Sequence, residues 1–290
     1  MLKNVLRTMR PRQWPKNAFL FAALVFDRQL LSPEPLLRAM SGFVLLCLAS
    51  GLVYIINDLV DLPHDRQHPV KRKRPIASGK LSVRAARAAA AVLAALTLAG
   101  SLALDLRFAL IVAVYVVSNL LYSFWLKHIP IIDVFVVASG FVLRVAAGVV
   151  LLTVERFSPW LYVCTTLLAL YLGFGKRRAE MVLLADGANA HRKVLDGYTI
   201  PLLDSLIIIV SGTTIVAYSL YTFSAPNLPG NHLMMLTIPF VIYGIFRYLL
   251  LIHVEDAGGA PEEMILTDRP LLSTFLLWGL SVVAILYLGT

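Results

Sequence analysis

At 290 residues, 59% hydrophobic and with a mean hydropathy of +0.78, the chain is too apolar for a soluble domain and too long for a simple membrane anchor. The 15% of residues that are charged cluster between apolar stretches, so the net charge of +9 belongs to loops beside anionic lipid. It gives no reason to expect nucleic acid as a partner. Cys47 and Cys164 both fall in apolar stretches, where a small buried hydrophobe is the expected role rather than a disulfide or metal ligand.

Nine apolar segments follow one another at about 17–31, 36–57, 82–104, 108–125, 131–153, 159–175, 202–223, 233–251 and 270–288. Each is near the roughly 20 residues that a spanning helix needs. Lys3, Arg7, Arg10, Arg12 and Lys16 precede the first, with no small-residue cleavage site after it, so that segment is expected to remain in the mature protein. With the N-terminus in the cytoplasm, that side holds these five cations, eight from Arg66 to Arg87, Lys127, five from Lys176 to Lys193, and Arg269. The other side holds only Arg28, Arg38, Arg107 and Arg156, as the positive-inside rule requires. The expected fold is therefore all-α: a multi-pass bundle in the plasma membrane, one domain over 1–290, its active site at the cytoplasmic face where the long connections lie.

The second segment ends in Asn57-Asp58-Leu-Val-Asp61-Leu-Pro-His-Asp65. On a helix Asp58, Asp61 and Asp65 stand at i, i+3 and i+7, on one face, where their oxygens suit Mg2+. Mg2+ commonly takes its remaining ligands from phosphates, so a phosphorylated substrate is expected. Pro63 should kink or end the helix, so the one-face geometry is expected for Asp58 and Asp61, and Asp65 shares it only if the helix runs on. The plainer alternative is a helix end with solvated acids, and solvated loop residues are the plain reading of His64 and His68.

Lys71-Arg72-Lys73-Arg74 comes next, both a topology signal and a means of neutralising a diphosphate; Arg74, preceding Pro75, should be extended. Tyr122 and Trp125 close the fourth segment as interface aromatics, with Lys127 in the short connection after them. Arg144 lies inside the fifth segment and should meet an anion, either a ligand or a carboxylate such as Asp133; Arg247 poses the same question nearer a segment end. After the sixth segment, Gly175-Lys176-Arg177-Arg178-Ala179-Glu180 and the later Asp196-Gly197-Tyr198-Thr199 form a connection suited to an anion. There Glu180 can pair with Lys176 at i, i+4. The acids of the last cytoplasmic loop read as solvated.

The aspartate motif on the second of nine helices resembles the first acidic motif of the UbiA superfamily of intramembrane prenyltransferases. Arg10-Pro-Arg-Gln-Trp-Pro-Lys16-Asn17, His68-Pro-x-Lys71-Arg72-x-Arg74-Pro-Ile-Ala-x-Gly79 and Gly175-Lys176-Arg177-x-Ala-Glu180 look like its decaprenyl-phosphate phosphoribosyltransferase branch. Ordinary members carry a second acidic motif after helix six, where this chain has Lys176-Arg177-Arg178; Pro63 is a further departure. The resemblance implies transfer of 5-phosphoribose from phosphoribosyl diphosphate to a polyprenyl phosphate. Mg2+ would sit on Asp58, Asp61 and Asp65 beside Asn57. Substrate contacts would come from Lys16, Lys71, Arg72, Arg74, Tyr122, Lys127, Arg144, Lys176, Arg177, Arg178, Glu180 and Tyr198. Which basic group holds the 5-phosphate and which the lipid phosphate stays open, as does self-association into a homo-oligomer. The alternatives are a conventional prenyltransferase with an aromatic acceptor, and a transporter, which would leave the acidic cluster unexplained.

Overall fold

The computed structural model describes residues 1–152, 158–185, 193–255 and 261–288, and every regular element among them is helical. The α-helices are α1 (Leu2–Thr8), α2 (Phe21–Phe26), α3 (Pro33–Val60), α4 (Leu62–Gln67), α5 (Val83–Leu104), α6 (Leu106–Phe124), α7 (Ile132–Leu151), α8 (Pro159–Ala185), α9 (Ile200–Ser224), α10 (Ile238–His253), α11 (Pro261–Thr267) and α12 (Arg269–Leu288). They divide into two compact units, Met1–Leu24 with Gln29–Phe124 and 143–152, and Val25–Arg28 with Trp125–Val142 and the described residues from 158 onward.

In the first unit α3 is apolar on nearly every side and runs through the core: Ala39, Leu46, Ala49 and Ile55 are fully buried. One cluster joins Leu20, Leu24, Leu46, Phe108 and Leu151, and another joins Met9, Leu52, Ile55, Ile76, Leu81 and Leu93. Helix α5 begins at Ser82, whose hydroxyl accepts the Ala85 N–H. Asp105 then starts α6 by accepting the N–H groups of Arg107 and Phe108. A single residue thus separates two long helices.

In the second unit Tyr171, Phe174, Leu203, Ile207, Ile245 and Tyr248 form the main core. A separate cluster of Tyr218, Tyr221, Met234, Val282 and Leu286 is pinned by Trp278, whose indole N–H donates to the Tyr218 hydroxyl at 2.8 Å. Thr199 and Asp268 cap α9 and α12 by accepting the N–H groups of Leu202 and Leu271.

Large apolar side chains face outward along the spans: Leu96, Leu102, Leu110 and Val114 in the first unit, and Ile208, Ile209, Val216 and Leu280 in the second. Apolar surface this extensive is uncovered only where lipid covers it. Seven helices among the described residues are long and apolar enough to cross a membrane, against the nine expected. Two segments account for the difference. The first, 17–31, breaks into a 3-10 helix (Pro11–Leu20), the six residues of α2 and a turn, and its Leu20, Ala23 and Leu24 are buried in protein. Pro11 and Pro15 lack the N–H groups that an α-helix through residues 11–20 would bond to residues 7 and 11. The other is α8, 27 residues long, whose C-terminal part carries Lys176, Arg177, Arg178 and Glu180.

Candidate functional site

Helix α3 stops at Asp61, because Pro63 occupies the first turn of α4 and has no N–H to extend the ladder. The chain restarts as α4. Asp65 on α4 and Asp58 on α3 are both buried, at 2% and 3% exposure, and both accept from Arg74. Arg74 Nη1 lies 2.6 Å from Asp65 Oδ2 and 3.1 Å from Asp58 Oδ1. Asp61, at the junction, is partly exposed. Asp65, which Pro63 left open in the sequence, thus shares a cation with Asp58.

Arg74 has the extended backbone expected before a proline, with φ −61° and ψ 147°, which turns its side chain back over α3 and α4. Lys71, Arg72 and Lys73 point away and are exposed. His68 closes their turn by accepting the Val70 and Lys71 N–H groups at Nδ1.

Arg10, to which its sequence motif gives no role of its own, donates from Nη2 to the same Asp58 Oδ1 at 2.7 Å. Its guanidinium lies 4.6 Å from the centre of the Tyr54 ring, one turn before Asp58 on α3. Its backbone is left-handed, φ 54°, immediately before Pro11, a strained conformation for a residue with a side chain. Beside these groups the Asn57 side-chain oxygen is buried with no hydrogen-bond donor.

No trio of His, Cys, Asp and Glu among the described residues is gathered closely enough to hold a metal by itself. The donors nevertheless suit Mg2+: they are hard oxygens, one of them is an orphaned amide oxygen, and Mg2+ is ordinarily held by one or two carboxylates with substrate phosphates completing the shell.

Arg144 sits deeper in the first unit. Its Nε donates to Asn17 Oδ1 at 2.8 Å, its Nη2 donates to the Tyr115 hydroxyl at 3.0 Å, and its guanidinium lies 4.8 Å from the Tyr115 ring centre. Asn17 in turn donates to Cys47 Sγ at 3.3 Å and Ser50 Oγ at 3.5 Å. Gly148, one turn on from Arg144, makes this approach possible: a Cβ there would stand 2.0 Å from the Leu20 carbonyl oxygen. Lys16 and Tyr122, half-buried, lie on the 3-10 helix and on α6.

The expected Asp133 partner of Arg144 is engaged in the second unit. Arg177 Nε donates to Asp133 Oδ2 at 2.6 Å and its Nη1 to Glu180 at 2.6 Å, while the Tyr198 hydroxyl donates to Asp133 Oδ1 at 2.7 Å. Ile131, left-handed at φ 69°, turns its N–H onto the Tyr198 hydroxyl. Burial first, and then the bond to the Asp133 carboxylate, raise the Tyr198 phenol above its ordinary range. Arg178 is bound by Asp204 at 2.6 Å and by the Ile252 carbonyl at 2.6 Å.

These facts change the sequence picture of the segment after 175. Gly175–Glu180 is helix rather than connection, Glu180 pairs with Arg177 rather than Lys176, and Arg177, Arg178 and Tyr198 are committed to protein partners. Lys176 alone of the three cations makes no ion pair among the described residues. Lys127 is half-buried on the short 3-10 helix Leu126–His128. Arg247 binds Asp268 at 2.6 Å, so its anion is supplied by the head of α12. Arg192 and Asp256 lie outside the described residues.

The UbiA prenyltransferase family model matches residues 18–267. The decaprenyl-phosphate phosphoribosyltransferase of Corynebacterium glutamicum is 33% identical over 98% of this chain and 87% of its own length. The protein of the same name from Mycolicibacterium smegmatis is 34% identical over 99% of this chain and 93% of its own. Among solved structures, a UbiA homolog from Archaeoglobus fulgidus bound to GPP and Mg2+ superposes with a TM-score of 0.73 at 21% identity, covering 98% of this chain and 99% of that one. With a helical fold, a buried acidic pair at the end of α3 and a family match over most of its length, the chain belongs to the UbiA prenyltransferase family.

Proposed function

We propose that this chain moves 5-phosphoribose from phosphoribosyl diphosphate to a polyprenyl phosphate, releasing diphosphate, in a Mg2+-dependent reaction at the cytoplasmic face of the plasma membrane. The observation that carries this reading is its likeness, over nearly the full length, to relatives named decaprenyl-phosphate phosphoribosyltransferase. Asp58, Asp65, Asp61 and the orphaned Asn57 oxygen would hold the ion, which when bound neutralises the diphosphate and stabilises its departure. Arg10 and Arg74 supply planar donor forks for the same diphosphate oxygens. The bond between the anomeric carbon and diphosphate breaks, the diphosphate leaving with the electron pair, and a lipid phosphate oxygen forms the new bond. That phosphate is ionised at neutral pH, so the reaction needs no general base. Lys176 is the cation on α8 that remains for a further phosphate. Lys71 and Arg72, exposed in the first unit, would take charge on the leaving diphosphate.

Purified protein given radiolabelled phosphoribosyl diphosphate, polyprenyl phosphate and Mg2+ should place label in the lipid extract. EDTA and Asp58→Ala should each abolish it. The GPP-bound fold relative makes prenyl transfer the competing reading. Activity with a prenyl diphosphate and an aromatic acceptor, and none with the pentose donor, would establish that instead.

A further inference from the structure

Each of the two buried carboxylates meant for a cation already has one oxygen bound by arginine. Asp58 Oδ1 accepts from Arg10 at 2.7 Å and from Arg74 at 3.1 Å, and Arg74 also bridges to Asp65 at 2.6 Å. Two buried negative charges are balanced by two positive ones. Even with the partly exposed Asp61 counted, a divalent cation entering this arrangement would leave an excess of one positive charge, next to an oxygen whose acceptor directions are taken. Buried, uncompensated charge is strongly disfavoured. A diphosphate arriving with the metal removes the excess, because it offers the guanidiniums other oxygens.

The two kinds of group also differ in exposure. The Asp58 and Asp65 side chains are each 3% exposed, whereas those of Arg10 and Arg74 are 33% and 27% exposed, so the arginines are the accessible members. Each is fixed at its base as well as bound at its tip. Pro11 and the left-handed backbone fix Arg10, which rests over Tyr54, and Pro75 keeps Arg74 extended. Their guanidiniums can turn to a bound anion without moving a helix.

We propose that Arg10 and Arg74 are placeholders for the divalent cation: they keep it off Asp58 and Asp65 until a diphosphate draws them away, so metal and diphosphate enter together. This rests on the metal role given to those carboxylates in the proposed function. It makes Arg10, otherwise a bystander at the N-terminus, a residue that sets the order of binding.

The test is equilibrium dialysis of radioactive Mn2+ against full-length protein in zwitterionic nanodiscs, with and without inorganic diphosphate, read as metal retained in excess by the protein compartment. Wild type should retain Mn2+ weakly alone and about tenfold more tightly with diphosphate. Arg74→Gln should bind Mn2+ alone about tenfold more tightly than wild type and lose most of the diphosphate dependence. Arg10→Gln, which leaves the Arg74 bridge in place, should shift the same way by a smaller factor and guards against misfolding of the first variant. Wild type retaining Mn2+ equally well without diphosphate would overturn the placeholder role while leaving the metal site standing. So would arginine variants, folded by circular dichroism and elution profile, that bind Mn2+ alone no better than wild type. No retention by wild type under either condition would overturn the metal reading and the placeholder role together.

Discussion

Asp133 and Arg177 are almost fully enclosed, with side chains 0% and 5% exposed, and they form a 2.6 Å ion pair in the second unit. Cutting one partner leaves the other charged and desolvated, so Asp133→Asn should destabilise the protein by about 3–5 kcal/mol. Replacing both residues with apolar ones of similar volume should recover much of that loss; thermal unfolding of the detergent-solubilised protein, followed by tryptophan fluorescence, checks both. A double replacement no better than the single one would mean that the pair acts through something other than charge. Tyr198 adds a pH signature. Its phenol is raised in the fold, so the stability it contributes is fully present below the unfolded tyrosine range, about pH 10, and is lost as pH climbs further. Tyr198→Phe should therefore unfold at a temperature that falls less steeply above pH 10 than wild type does. At this scale residue chemistry was legible in the sequence, but pairing was not. The types and spacing of Asp58, Asp61 and Asp65 suggest a cation site, yet that Asp58 and Asp65 would share Arg74 is not written in their spacing. Arg144 reads as a buried charge that should meet an anion, but the bonds it makes to Asn17 and Tyr115, both far from it along the chain, are to neutral oxygens.

Helices set these meetings through close approaches that composition does not advertise. Gly148 on α7 stands against the backbone at Leu20, and no flexible side chain is there to yield. Gly148→Ala should cost about 1–3 kcal/mol by overpacking. It should also push α7 from the 3-10 helix that carries Asn17, weakening the hold on Arg144. A melting temperature unchanged by the substitution would show that α7 and Leu20 are not packed as described. The long apolar spans were legible because lipid demands about 20 apolar residues whatever the neighbours. Where elements end was less so. The segment from 17 to 31 has the composition of a span, but Pro11 and Pro15 before it and the buried contacts of Leu20 and Leu24 make it a short packed piece. Helix α8 errs in the opposite direction: its basic run looks like a loop by charge, yet continues as helix because Asp133, Glu180 and Asp204 neutralise the arginines.

For the molecule as a whole, orientation in the bilayer depends on where cations stand relative to the spans. Helix α5 begins after a stretch that holds six of the 26 Lys and Arg residues, and α6 starts beyond Asp105 with Arg107 as the sole cation of that turn. In the proposed orientation, a bilayer with anionic lipid and an inside-negative potential would retain the first stretch in the cytoplasm. In a background with Cys47 and Cys164 replaced, Lys73→Cys and Arg107→Cys each put one exposed thiol at opposite ends of α5. An impermeant maleimide should label Lys73→Cys in sealed inside-out vesicles and not in right-side-out ones, with the opposite result for Arg107→Cys. The reversed pattern would place Asp58, Asp65 and Arg74 on the outer face, beyond reach of a cytosolic sugar diphosphate, and would rule out pentose-phosphate transfer from that pool. Labelling of both positions from one side would instead mean that α5 does not cross, despite its 22 largely apolar residues. Either failure is decisive because the donor is polyanionic and cannot follow the site across the bilayer.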